Sequence, residues 1–324
     1  MADYQIFSDP KLEADVLDVL KKGVGSHQLI FPEKVASSVL SAGEPDPGFP
    51  KADIAFGQPL LESIKVSKKL KWIHLSTAGF TRYDTDEFRQ YAKDNNLIVT
   101  NSSSVYAEAC AEHVFSFMLA QSRRLPYSLS LRVPNGHPEW NALRSSYKPL
   151  RGQKVFILGY GGIAKVLVKM LAPFDMEIVA MRRSPRGDEG VEVVTPENMA
   201  GALATADHVI NILPDNPESS GFFNAERFAA MKPGSVFYNI GRGTTVDQGD
   251  LFKALKFGHL EAAWLDVTTP EPLPDGHPLW NLENCHITPH TAGGHANESL
   301  TLVKHFLNNF NRYLKGEELV DRVM

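Results

Sequence analysis

Short apolar runs alternate with amphipathic stretches along most of this chain. In the first hundred residues the runs Gln5–Ser8, Asp53–Phe56, Lys71–Ser76 and Leu97–Asn101 predict strands. Between them, Leu12–Lys22, Glu62–Lys68 and Asp84–Asp94 repeat apolar positions at helical spacing. Strands separated by helices predict a parallel sheet covered on both faces. Pro45-Asp46-Pro47-Gly48-Phe49-Pro50 predicts a loop. A long helix is expected over Val105–Ser122, with Ser104 as its N-cap and Ala107, Ala111, Val114, Phe115, Met118 and Leu119 on its buried side. Pro134–Pro149, rich in Pro, Asn, Gly and Ser, predicts an irregular excursion.

A second alternating series follows. Its predicted strands are Val155–Leu158, Glu177–Met181, His208–Leu213, Val236–Ile240 and Ala262–Asp266, with His286–Thr288 as a short last one. The class is α/β, with two doubly wound parallel-sheet domains. An amphipathic helix around Leu300–Leu314 is expected to return to the first domain. The first domain is therefore discontinuous, residues 1–100 with 292–324, and residues 101–291 are inserted in it as the second. At 324 residues the chain is long enough for two such cores.

Composition narrows the possibilities. Apolar residues make up 43% and charged residues 22%, as in ordinary globular proteins. A net charge of −5 gives no electrostatic footprint for nucleic acid. No run reaches the roughly 18 apolar residues needed to span a membrane, and the start of the chain does not read as a secretory signal. Two distant cysteines, Cys110 and Cys285, build neither a metal site nor a disulfide framework, and reduced thiols in the cytoplasm are expected.

The candidate chemistry starts at Gly159-Tyr160-Gly161-Gly162-Ile163-Ala164. It follows the strand Val155–Leu158 and opens the helical pattern Ile163–Leu171. Strand, glycine turn and helix together place a pyrophosphate on a helix N-terminus. Ala164 stands where a third glycine is usual, and its methyl is small enough for close packing. A carboxylate about 20 residues on would hold a ribose 2′-hydroxyl. Here Arg182 stands 23 residues after Gly159, with Arg183 and Ser184 next. A cation there can pair with a 2′-phosphate, so NADP(H) is expected to be preferred, with NAD(H) possible.

Three further segments begin at the C-terminal ends of predicted strands, where open α/β sheets hold ligands. They are Asn239–Gly243, Asp266–Pro272 and Thr288–Gly294, and they bring Arg242, Glu271 and His290 to one edge. Reducing a 2-oxo acid by hydride requires a held carboxylate, a polarised carbonyl and a proton for the developing alkoxide. The Arg242 fork suits the first two tasks. His290 suits the third, in either direction. Glu271 can orient the imidazole by a charged hydrogen bond. His113 reads as a packed helix residue and His295 as a surface one.

These motifs, with Asn239–Leu251, Leu265–Trp280 and Pro289-His290-Thr291-Ala292-Gly293, resemble the D-isomer-specific 2-hydroxyacid dehydrogenase family. Within it, the features are most similar to NADPH-preferring glyoxylate/hydroxypyruvate reductases. The likeness is strong over roughly Asn101 to Gly294 and looser before it. It implies a Rossmann domain inserted in a flavodoxin-like substrate domain, the two closing over the ligands. Arg242, Glu271 and His290 would be the catalytic set, with Arg242 and His290 also touching substrate. Asp266 would orient the nicotinamide amide, and Tyr160, Gly161, Gly162, Ile163, Leu213, Pro214 and Ile240 would line the dinucleotide. Backbone amides of Ser76–Phe80, at Ala78 and Gly79, would bind the substrate carboxylate, with Phe80 or Tyr106 as a wall. The resemblance also implies a homodimer built on the helix after Ser104. No C-terminal regulatory domain of the phosphoglycerate dehydrogenase kind is expected. Formate dehydrogenases of the family carry glutamine at the Glu271 position, so formate is not expected as substrate. Alternatives are a dehydrogenase of a larger 2-hydroxy acid or of phosphite, or a dinucleotide-sensing corepressor-like binding protein.

Overall fold

Every pairing between named strands is parallel, and the strand interiors are apolar on both faces because helices cover both. The computed structural model describes residues 3–34 and 44–324. The chain divides into two units, Met1–Tyr106 with Gly294–Met324, and Ala107–Gly293.

In the first unit, β1 (Gln5–Ser8), β2 (Gln28–Ile30), β3 (Ile54–Gly57), β4 (Trp72–Leu75) and β5 (Ile98–Thr100) lie in the order β2-β1-β3-β4-β5. That is the flavodoxin-like order. Helices Ala14–Val24 and Glu298–Lys315 pack on each other. The latter delivers Phe306 to the sheet, where it stacks on Phe56 (4.6 Å between centroids) and Trp72 (5.5 Å). The last residues then lie along β5. Val99 N donates to Met324 O (3.1 Å), Val323 N returns to Val99 O (2.9 Å), and Asn101 N donates to Asp321 O (3.0 Å). This covers an edge that would otherwise expose unpaired backbone groups.

The second unit holds β6 (Lys154–Leu158), β7 (Glu177–Met181), β8 (Glu192–Val194), β9 (His208–Asn211), β10 (Val236–Asn239), β11 (Ala262–Leu265) and β12 (Cys285–Ile287). Their order is β12-β11-β10-β9-β6-β7-β8. From β8 back through β6 and out to β11, this is the dinucleotide-binding pattern, extended by one strand. The helix Gly162–Leu171 follows β6 directly and buries Ala164, Leu167 and Leu171. Among the described residues, no helix is long and apolar enough to cross a membrane.

Three details depart from the sequence pattern. The edge strands β2 and β8 are three residues each and carry Gln28 and Glu192, so neither shows an apolar run. The stretch Pro134–Pro149 contains a helix, Pro138–Ser145, because proline at a helix start costs no hydrogen bond and His137 Nδ1 accepts from Glu139 N (3.3 Å). The long helix starts at Ser103, so Ser104 lies inside it. Ser104 is not an acceptor there. Its N and Oγ both donate to Asp321 Oδ2 (2.8 and 2.7 Å), a carboxylate well matched to the positive end of a helix.

Asp9 follows β1 and is 5% exposed. Burial pushes its carboxyl up to about 6, against the smaller opposing effects of the Gln58 N–H and Arg82. A carboxyl raised above its unfolded value of 3.8 leaves the fold unpenalised below about pH 4, and costs stability progressively as pH rises to about 6, with the full cost present above that. That cost is about 3 kcal/mol. Asp9→Asn is therefore expected to raise the thermal midpoint at pH 8, with the gain shrinking away below pH 4. An equal gain at both pH values would contradict the burial cost.

Candidate active site

The loops after β10, β11 and β12 leave neighbouring strands at the same end of the second sheet. After β10 comes Gly241-Arg242-Gly243. A Cβ on Gly243 would lie 1.9 Å from Thr268 O, so only glycine lets this loop meet the one after β11. A buried amide relay holds the Arg242 backbone. Asn211 Nδ2 donates to Thr245 Oγ1 (2.7 Å), and Thr245 Oγ1 and Asn239 Nδ2 both donate to Arg242 O (2.7 and 3.2 Å). The half-buried guanidinium donates from Nη1 to Gly241 O (2.6 Å) and has no ion pair among the described residues. Most of its donor fork remains available to an anion.

Asp266, 2% exposed, follows β11. Its Oδ1 accepts from Thr288 Oγ1 (2.6 Å) and Thr291 N (2.9 Å), and its Oδ2 from Ala292 N (2.9 Å). The Asp266 carbonyl accepts His290 N (2.9 Å). His290 sits in this turn at φ 53°, a left-handed conformation that these bonds maintain. Its Nδ1 lies 2.8 Å from Glu271 Oε2, while Glu271 Oε1 accepts from Thr268 N (2.9 Å). An ionised carboxylate can only accept, so Nδ1 carries the proton and Nε2 is the nitrogen left for chemistry. Gln248 anchors the same loop through two amide bonds, Nε2 to Thr269 O (2.7 Å) and Thr269 N to Oε1 (2.9 Å).

The glycine turn opens the helix Gly162–Leu171 without a side-chain cap, Gly159 at φ 103° and Gly161 with open space where a Cβ would stand. Beside it is a cavity of about 430 Å³ whose lining includes Gly159, Tyr160, Arg182, Arg183, Leu213 and Pro214. A turn free of side chains, uncapped N–H groups and a roomy flanking cavity fit a dinucleotide. Ile163 follows in the helix, Ile240 is buried after β10, and Ser184 is exposed beside Arg183. Arg182 is already engaged, Nη1 to Glu189 Oε1 at 2.8 Å. Glu189 also accepts from Arg186 N (2.7 Å) and Gly187 N (2.8 Å), and these bonds, the Arg186 N–H foremost, hold its carboxyl down at about 2. Arg183 pairs with Glu218.

In the first unit, the Ser76–Phe80 loop follows β4. Its carbonyls are taken one after another. Ser76 O accepts from Tyr106 OH (2.8 Å), Thr77 O from Ser102 N (3.0 Å), Ala78 O from Asn101 Nδ2 (2.7 Å) and Gly79 O from Thr77 Oγ1 (2.6 Å). Among the described residues, the N–H groups of Ala78 and Gly79 have no acceptor. Tyr106 is thus a buried tie for the loop, and Phe80 packs against the core of this unit.

The structure joins Glu271 to His290 and brings the Arg242 loop against Thr268. Ala78 and Gly79 belong to the other unit. Sequence reasoning missed Gln248, Thr288 and Glu189. Of these, only Glu189 had a local sign, lying between Gly187 and Gly190, both at positive φ. His113 packs edge-on to Phe117 (4.4 Å) with Nε2 3.2 Å from Thr288 Oγ1, and burial lowers its pKa. Burial pushes Cys285 up to about 12, which leaves no thiolate near neutral pH.

Residues 115–292 match the family described as D-isomer specific 2-hydroxyacid dehydrogenase, NAD binding domain. The glyoxylate reductase/hydroxypyruvate reductase of Homo sapiens is 33% identical over 256 residues, covering 77% of this chain and 76% of that protein. A D-isomer specific 2-hydroxyacid dehydrogenase family protein from Aeromonas salmonicida subsp. salmonicida superposes with a TM-score of 0.78 at 26% identity, over 100% of this chain and 99% of that one. A D-isomer specific 2-hydroxyacid dehydrogenase from Xanthobacter autotrophicus, solved with NADPH and MES, has a TM-score of 0.80 at 24% identity, over 100% and 98% of the two chains, and attests the fold.

Asp266→Ala removes the acceptor shared by Thr288, Thr291 and Ala292. Stranding these donors is expected to cost about 3 kcal/mol, read as a lower urea midpoint. A midpoint equal to that of the parent would contradict the anchoring role.

Proposed function

Since this chain belongs to the D-isomer-specific 2-hydroxyacid dehydrogenase family, we propose that it reduces a small 2-oxo acid of the glyoxylate or hydroxypyruvate type to the D-2-hydroxy acid, with NADPH preferred. The observation that carries this reading is the His290–Glu271 pair at 2.8 Å, set beside a loop whose Arg242 fork is largely free. The glyoxylate reductase/hydroxypyruvate reductase likeness supports the choice of substrate.

The bound nicotinamide supplies a hydride to the carbonyl carbon. The protein's own part is positioning and proton handling. Arg242 pairs with the substrate carboxylate and polarises the carbonyl. Glu271 holds Nδ1–H, which orients the ring, and protonated Nε2 of His290 passes its proton to the forming alkoxide. In the reverse direction, neutral Nε2 takes that proton from the hydroxyl. In the other unit, the unpaired amides at Ala78 and Gly79 are donors suited to a carboxylate. One lone pair of Asp266 Oδ2 beyond the Ala292 N–H is available to the nicotinamide amide.

Tyr160, Gly161, Gly162, Ile163, Leu213, Pro214 and Ile240 serve the dinucleotide. The 2′-phosphate falls to Arg183 and Ser184 together with Arg182, whose charge is shared with Glu189. That sharing leaves NADH usable. The chain acts as a homodimer in this reading, supported by Leu125, Tyr127 and Leu129, exposed by 42, 47 and 80% just after the long helix.

His290→Ala tests the assignment. Turnover with glyoxylate is expected to fall on the order of a thousandfold, while NADPH binding, read by nucleotide fluorescence, stays within twofold. Equal losses in both would make His290 a structural residue.

A further inference from the structure

The Ser76–Phe80 loop is bonded from below by a side chain that no motif pointed to. Gln58 follows β3 and is 5% exposed. Its Nε2 lies 2.8 Å from Thr77 Oγ1 and 3.3 Å from Ser76 Oγ. Thr77 has one hydroxyl proton, and it is spent on Gly79 O at 2.6 Å. Thr77 Oγ1 therefore accepts from Gln58, and the order runs from Gln58 N–H to Thr77 O–H to the Gly79 carbonyl.

Gln58 itself is fastened from behind. Its backbone N–H lies 3.0 and 3.1 Å from the two carboxylate oxygens of Asp9. A Cβ on Gly57 would stand 1.6 Å from Asp9 Oδ1, so glycine is needed for that carboxylate to reach in. Asp9, Gln58 and Ser76 each follow one of the adjacent strands β1, β3 and β4, all at the same sheet edge. Such a buried, directional chain fixes the plane of the peptide that carries the Gly79 carbonyl.

We propose that Gln58 is the positioning residue of an anion-binding loop. By donating to Thr77 it keeps the Gly79 carbonyl occupied and the Ala78 and Gly79 amides free for a carboxylate. This rests on the reading that the loop takes the substrate carboxylate. The donor polarity of Gln58 is the essential property. A glutamate of the same shape accepts instead, so Thr77 would turn its proton toward it and release Gly79 O.

The probe is oxamate, an unreactive mimic of a 2-oxo acid, titrated calorimetrically into enzyme saturated with NADPH. KM and kcat for glyoxylate are measured beside it. Gln58→Glu and Thr77→Val are expected to weaken oxamate at least tenfold and raise KM by a similar factor. The fall in kcat should be smaller, and NADPH affinity should stay near that of the parent. Thr77→Ser, which keeps the hydroxyl, is expected to behave as the parent. Gly79→Pro removes one of the two amides and separates the two claims. If it weakens oxamate while Gln58→Glu and Thr77→Val do not, the role of Gln58 is overturned and the loop reading stands. If none of the three weakens oxamate, the loop reading falls and the role of Gln58 with it. A Thr77→Ser variant as damaged as Thr77→Val would also overturn the proposal.

Discussion

Asp266 gathers its own backbone carbonyl and both carboxylate oxygens onto four residues, Thr288, His290, Thr291 and Ala292. The rest of the site depends on that grip. His290 has a left-handed backbone, uncommon for a residue other than glycine, and the bonds to Asp266 hold it there. With the turn so held, Nδ1 meets Glu271 and Nε2 is left over. The carboxylate that does this is buried, yet every bond it makes is to an N–H or O–H within the same unit, so its charge is compensated locally.

The same logic recurs at the carboxyl edge of the five-stranded sheet. There, side chains of Tyr106, Asn101 and Thr77 and the Ser102 amide occupy four successive carbonyls. Among the described residues, the N–H groups of Thr77, Ala78, Gly79 and Phe80 are left without an acceptor. In one unit Asp266 satisfies the donors of the turn that carries His290, and in the other four successive carbonyls are occupied beside N–H groups that are not. Both arrangements expose one kind of group and hide the other, which is how a rigid polar site is made without a buried unpaired charge.

Much of the fold was legible because parallel strands buried on both faces read as apolar runs. Val155–Leu158 and Glu177–Met181 are seen in the structure almost to the residue. The edge strands β2 and β8 were not legible, since Gln28 and Glu192 give an edge no apolar signature. The side-chain types of Arg242, Glu271 and His290 stood out by their place after predicted strands, and Glu271 and His290 do meet. The supports around them were silent. Gln248 binds a residue 21 positions away, Gln58 one 19 away and Asp266 one 26 away. A polar residue in a loop has no local mark of such a partner. The cation after β7 was visible, but its pairing with Glu189, seven residues on, changes how much of its charge is left for a ligand.

The most direct measurement is the initial rate of NADPH and of NADH oxidation with glyoxylate and with hydroxypyruvate. The account predicts turnover with NADPH on at least one of these acids, at a kcat/KM severalfold or more above that with NADH. No turnover with either cofactor, alongside tight NADPH binding, would contradict it and leave a dinucleotide-sensing protein with an idle histidine.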